Sequence, residues 1–325
     1  MTSKERVVAA IEFKKPDRIP LNIRFVPAFY FKHGKKVEEL IARYPPDLFD
    51  PNFTPKWEPD KVDPRYLPGR FTDEWGSVWH SNDPGYQGRV ERYALDDWSR
   101  LDKFVAPKPE ANCPWAGVPD KFCVGIGGNF FHRVCYLRNM EKVMMDIHDG
   151  APEIYRLRDI LLEYFIQQTT LGASKDVDAI WFLDDFGTQQ SLLMSPAMWR
   201  KFIRPVYEKL FAICKAKGKY IFFHSDGFII DLIDDLIEMG LDVLNCQVSM
   251  IGLDKLAERF RGRLTFWGEF SWQSMVPYGT PDEIRAEAQR MAKTLGTPEG
   301  GFIGLAQGDS LTPLANFEAM LSAWS

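Results

Sequence analysis

The sequence predicts an α/β protein built as a single closed (β/α)8 TIM-type barrel, with an aromatic-rich hairpin region inserted after the first strand. Three observations predict it. From residue 121 onward, short apolar runs alternate with amphipathic helical stretches, the pattern of parallel strands joined by crossover helices. No strand is followed by the GxGxxG turn of a dinucleotide-binding open sheet. Polar and ionisable residues recur where the strands end, which is where a closed barrel carries its chemistry.

Each element has its own signal. Thr2 and Glu5 form an S/T-x-x-E capping box ahead of Val7, Val8, Ile11 and Phe13, so a short N-terminal helix runs until Pro16 stops it. RIPLNIRF (18–25) reads as the first strand. Residues 30–120 are rich in Pro, Trp and Tyr, and DEWGSVWHSNDPGYQGRVERY alternates aromatic and polar residues about an Asn-Asp-Pro-Gly turn, the mark of a hairpin. Later strands are expected at 122–126, 178–183, 219–224, 242–246, 264–267 and 301–305. Helices are expected at 151–174, 196–217 (Ser195 as cap, Pro196 first), 228–239, 253–261 and 281–295, the last opened by Thr280-Pro281-Asp282-Glu283. That makes seven strands, and an eighth must lie in a segment without readable periodicity. The 325 residues, 45% hydrophobic, are read as one domain, 1–325.

Composition excludes several function classes. Forty basic against forty-five acidic residues give a net charge of -5 with no basic patch, which argues against nucleic acid. The charged N-terminus lacks the core of a signal peptide, and no segment is apolar for the roughly 18 residues of a membrane span, so a cytoplasmic protein is expected. The five cysteines show no CxxC or Cys/His spacing and read as reduced core residues.

The strand ends supply the candidate chemistry: Arg24; Asp184 and Asp185, followed by Gln189; His224 and Asp226; Gln247; Glu269; Gln307 and Asp309. Burying charge without a partner is costly, so carboxylates gathered about one histidine suggest a cation held by oxygen. His224 and Asp226, two apart in an extended segment, project to the same side and can meet one ion. The alternative is a hydrogen-bonded structural pair. Asp184 and Asp185 are candidates for acid, base or substrate anchor, or else turn and cap residues. Gln189 is suited to a polar substrate or to solvent.

Five segments, TSKERVVAAIEFKKPDRIPL, WFLDDFGTQQSLLMSPAMWRKFIRP, HSDGFIIDLIDDLIEMGLDVLN, MVPYGTPDEI and LTPLANFEAM, together resemble the uroporphyrinogen decarboxylase-like superfamily, in order along the whole chain. The resemblance implies one (β/α)8 barrel with its site at the C-terminal mouth. True uroporphyrinogen decarboxylases carry an RQAGRY motif that holds substrate carboxylates, whereas NIRFVPAFYF here offers only Arg24, closer to the cobalamin-linked methyltransferase branch. In that branch's thiol-directed members a His-x-Cys motif and a late LAPGC-like segment hold zinc. Here the same places read His224-Ser225-Asp226 and LAQGD, so aspartates, Asp226 and Asp309, stand where those relatives have cysteine.

The resemblance thus implies zinc or another divalent metal on His224, Asp226 and Asp309, more electrophilic than with two thiolates and matched to an oxygen substrate. The implied activity is transfer of a methyl group from a methoxylated or methylated small molecule to the corrinoid of a separate protein, since the chain has no DxHxxG cobalamin signature. Glu269 would be fourth ligand or proton shuttle, and Asp184 or Asp185 would orient substrate. Trp75, Trp79 and Tyr86 would wall an aromatic ring, although the aromatics of 64–99 also suit a homodimer contact, a dock for the corrinoid protein or a lid. The alternatives are a decarboxylase acting on a carboxylated small molecule and a metal-free binding descendant of the fold.

Overall fold

The computed structural model describes residues 1–50, 62–110 and 117–324. Helix α1 (Ser3–Ile11) begins with the expected capping box: the Thr2 side chain accepts from Glu5 N–H, and the Glu5 carboxylate accepts from Thr2 N–H. Strand β1 (Leu21–Phe25) follows, then two helices that the sequence did not announce, α2 (Pro27–His33) and α3 (Lys35–Arg43).

The eighth strand is β2 (Leu48–Phe49), two residues that are too short to show any period. Asp47, just before it, joins the barrel's two edges. Its N–H donates to Leu21 O at 2.8 Å, its Oδ2 accepts from Leu21 N–H at 2.9 Å, and its carbonyl accepts from Phe122 N–H at 3.1 Å. Arg6 and Arg18 pair with this fully buried carboxylate at 2.6 and 2.8 Å, which compensates the burial of its charge.

A small antiparallel sheet comes next, β3 (Gly69–Thr72), β4 (Val78–Ser81) and β5 (Arg89–Arg92), with β4 and β5 flanking the predicted Asn-Asp-Pro-Gly turn. Its tryptophans pack inward. Trp79 donates Nε1–H to Asp73 Oδ2 at 2.9 Å, and Trp75 meets Tyr164 edge-on at 4.6 Å with Arg133 on its face.

The repeating part then runs β6 (Phe122–Gly128), α4 (Phe130–Arg138), α5 (Met140–Asp149), α6 (Pro152–Ala173), β7 (Ala179–Leu183), α7 (Pro196–Phe202), α8 (Arg204–Ala216), β8 (Tyr220–Ser225) and α9 (Ile233–Glu238). It closes with β9 (Val243–Cys246), α10 (Val248–Ile251), α11 (Leu253–Phe260), β10 (Thr265–Trp267), α12 (Met275–Tyr278), α13 (Pro281–Leu295), β11 (Phe302–Gly308) and α14 (Leu314–Trp324). Two expected helices are interrupted. The 196–217 helix divides at Ile203, where Pro205 removes an N–H from the ladder, and the 228–239 stretch starts as a 3-10 turn before α9. Among the described residues, no helix is long and apolar enough to cross a membrane.

The strands pair in parallel in the order β1-β11-β10-β9-β8-β7-β6-β2, a nearly closed eight-stranded barrel. Alternate side chains fill its interior: Phe122 and Val124, Ala179 and Trp181, Phe222, Val243, Trp267, Ile303 and Leu305, with Val7 and Ile11 of α1 packed in the same cluster. Because side chains alternate with period two, His224 follows Phe222 inward, Asn245 follows Val243 and Gln307 follows Leu305. The polar residues at the mouth are therefore the last layer of a packed apolar interior.

Candidate metal centre

The ends of β7 and β8 are drawn together by glycines. A Cβ on Gly227 (φ +84°) would sit 2.2 Å from the backbone carbon of Gly187, so the two loops meet main chain to main chain. Gly187 N–H donates to Asp226 O at 3.2 Å, and Phe228 N–H to Thr188 O at 2.8 Å. This contact places Asp226 beside Asp185, whose Oδ1 accepts the Asp226 N–H at 2.9 Å.

His224 completes the cluster. Asn245 donates its amide N–H to Trp267 O at 2.9 Å and so turns its oxygen toward His224 Nδ1. Nδ1 then carries the proton in the neutral ring, and Nε2 presents its lone pair to Asp226 Oδ1 at 3.4 Å and Asp185 Oδ1 at 3.6 Å. A lone pair facing two carboxylates is electrostatically unfavourable unless a proton or a cation lies between them. Among the described residues, Asp226 Oδ1 is buried without a hydrogen-bond partner. Asp185, His224 and Asp226 each offer a ligand atom, and these atoms lie within 4.8 Å of one another. Two carboxylates and one imidazole, the latter oriented from behind by an amide oxygen, are a donor set suited to a divalent ion, and the residues fit one.

The sequence candidates divide on this geometry. His224 and Asp226 come together, and Asp185, expected to orient substrate, joins them. Asp309 is not in the cluster. Its Oδ1 accepts from Leu311 N–H, Thr312 N–H and Thr312 Oγ1 at 2.8 to 3.0 Å, closing its own turn after β11. Asp184 is fully buried and faces away, accepting from the Phe131 and His132 N–H groups at the start of α4 and from the Tyr207 hydroxyl. It anchors the start of α4, a contact with another element and not the cap of its own turn that the sequence left open.

Glu269 is buried at the end of β10 and also lines a cleft of about 520 Å³ with Ser271, Ser274, Lys255 and Arg290. The Arg24 guanidinium lies 4.3 Å above the Trp181 ring and 5.1 Å above Trp267. Gln307, in register with Arg24, is fully buried and donates to Phe270 O at 3.4 Å. Gln247 accepts Gly227 N–H at 3.1 Å, and Gln189 is exposed on its turn. Trp75 and Trp79 are 4% and 1% exposed, so their faces are committed to packing the small sheet onto the barrel and are not offered to a ligand. Tyr86 bonds Ser310 at 2.6 Å across the rim.

Electrostatics separates these carboxyls. Burial pushes Glu269 up to about 8, helped by the charge of Asp226 and opposed by Arg24. Burial likewise raises Asp184 to about 6 against the pull of His132 and Tyr207. Asp226 is raised by burial and by Asp185. Asp185 goes the other way: burial opposes ionisation, but His132 and His224 outweigh it and hold the group at about 2.

The residue that sequence reasoning missed is His132. It lies in the first turn of α4, just beyond the C-terminal end of β6, and that position after a strand end is the signal that could have found it. Its Nε2 is 3.3 Å from Asp185 Oδ2 and its Nδ1 3.5 Å from Asp184 Oδ1. Burial opposes its charging, but the two aspartates raise its pKa.

Comparison with solved structures shows what shares this architecture. A methyltransferase from Methanosarcina mazei superposes with a TM-score of 0.74 over 99% of this chain and 98% of its own, at 16% identity, a likeness of fold. A dihydropteroate synthase from Coxiella burnetii (TM-score 0.34, 16% identity, 60% of this chain and 65% of its own) carries no argument. The same holds for an endo-β-1,4-xylanase from Gloeophyllum trabeum (0.36, 12%, 51% and 68%). Curated protein sequences give no match. The sequence model of uroporphyrinogen decarboxylase (URO-D) matches residues 123–324, the greater part of the chain and nearly all of the repeating barrel, and the chain belongs to that family.

Proposed function

We propose that this protein is a metal-assisted methyltransferase that takes a methyl group from an oxygen of a small molecule and delivers it to a corrinoid carried by a separate protein. The observation that carries the reading is the orphaned Asp226 Oδ1 facing His224 Nε2, a pair that needs a proton or a cation between its atoms, with Asp185 Oδ1 placed to share a cation. His224, Asp226 and Asp185 would hold a zinc or similar divalent ion. When bound, that ion supplies Lewis-acid polarisation of the substrate's ether or hydroxyl oxygen. The full-length likeness of fold to a methyltransferase supports the reading.

The chain's own groups account for the rest of the chemistry. As the methyl group passes to the external nucleophile, the C–O bond breaks and its electron pair stays on oxygen. Glu269, held protonated at neutral pH by burial, donates a proton to that oxygen. The cleft that Glu269 also lines would let solvent return a proton to it. Arg24, spread over Trp181 and Trp267, offers a cation to the electron-rich end of the substrate. Because Trp75 and Trp79 are occupied in packing, a substrate ring would be walled by other residues.

The test supplies cob(I)alamin and a panel of methoxylated compounds and follows methylcobalamin by its absorbance. Methyl transfer that falls to background in His224→Ala is the expected result. No transfer across the panel, with carbon dioxide released from a carboxylated substrate, overturns it in favour of the decarboxylase reading, which the family match and the Arg24 cation support.

A further inference from the structure

We infer that His132 is a positioning residue for the metal centre: its ring, set between Asp184 and Asp185, fixes the Asp185 carboxylate in the orientation that a divalent cation requires. The inference rests on reading Asp185, His224 and Asp226 as a metal site.

Asp184 and Asp185 are adjacent in an extended segment and project to opposite sides. His132 engages both. Its backbone N–H donates to Asp184 Oδ1 at 2.8 Å, while its ring Nε2 accepts from the Asp185 backbone N–H at 3.4 Å and lies 3.3 Å from Asp185 Oδ2. The ring has little freedom. Tyr136, one turn further along α4, stacks on it at 5.8 Å and 19°, and its side chain is 13% exposed. The Asp184 end of the clamp is anchored by Phe131 N–H and the Tyr207 hydroxyl.

This arrangement gives each oxygen of Asp185 a separate partner. Oδ2 lies against the His132 ring at 3.3 Å, with the Asp185 backbone tied to the same nitrogen, and Oδ1 is left toward Asp226 N–H and His224 Nε2. Without the ring, the Asp185 side chain can rotate and Oδ1 loses its fixed direction. Outer partners of this kind are worth about 10- to 100-fold in metal affinity.

Zinc affinity, measured by competition with a chromophoric chelator, and the visible absorption of the Co²⁺-loaded protein test the inference in the full chain. Two substitutions separate the ring nitrogens, because a Gln amide reaches the Nε2 position and an Asn amide only the Nδ1 position. The expected result is that His132→Asn weakens zinc binding about 10- to 100-fold and changes the Co²⁺ spectrum, while His132→Gln stays close to wild type. Folding of each variant is checked by circular dichroism. Equal affinities and spectra for both variants and wild type overturn the role of His132, and so does an equal loss in both. Failure of wild type itself to bind zinc or cobalt overturns the metal reading, and the inference with it.

Discussion

Asp184 and Asp185 share a side-chain type and a strand end, yet the fold holds them in different protonation regimes, about 6 and about 2. The difference comes from surroundings. Asp184 is wholly desolvated against α4, whereas Asp185 stands between two histidines. Glu269 extends the same logic and gives a pH signature. Its folded pKa, about 8, lies above the ordinary carboxyl value of 4.5, so its contribution to stability is fully present below about pH 4.5 and is lost as pH rises through about 8. Asp185 acts oppositely, losing its contribution only as pH falls toward 2. Thermal unfolding of metal-free protein should therefore show stability falling between pH 6 and 8, and Glu269→Gln should make that fall shallower. An unchanged slope would mean that Glu269 ionises normally and cannot serve as the proton donor.

At the scale of elements, the helix starts were the most legible features, because capping is local chemistry. Thr280 accepts from Glu283 N–H, and Glu283 accepts from Thr280 N–H, as the sequence pattern specifies at the start of α13. Thr280→Ala should destabilise the protein by about 1 kcal/mol, and Thr280→Ser should restore most of it, as read by denaturant midpoints. The site was legible where spacing alone set geometry: His224 and Asp226 share a face because strands alternate. Asp185 stands in the cluster where Asp309 was expected, and Asp309 closes its own turn, because turn closure and loop contact are tertiary facts. The sequence does not show that Thr312 would occupy one carboxylate oxygen, or that Gly187 and Gly227 would bring Asp226 against Asp185. His132 stands just after the end of β6, a position the sequence could show, but its meeting with Asp184 and Asp185 after β7 is made only by the assembled barrel.

The whole molecule explains why the site lies at the mouth. Apolar side chains fill most of the interior from Val7 and Ile11 up through Trp181, Phe222 and Trp267, and Asp185, His224 and Asp226 gather beyond them at the strand ends. Barrel closure depends on Asp47 and the two-residue β2, which carry no periodic signal, so the eighth strand could be counted as missing but not located. The strand-helix rhythm after residue 121 made the fold class readable, and the family match from residue 123 onward covers that same part of the chain. We propose that this mouth holds one divalent cation on Asp185, His224 and Asp226. Elemental analysis of protein purified without added metal, beside His224→Ala, tests it most directly. Wild type is expected to carry about one divalent ion per chain and the variant essentially none; no stoichiometric metal in wild type, or equal metal in both, would rule the site out.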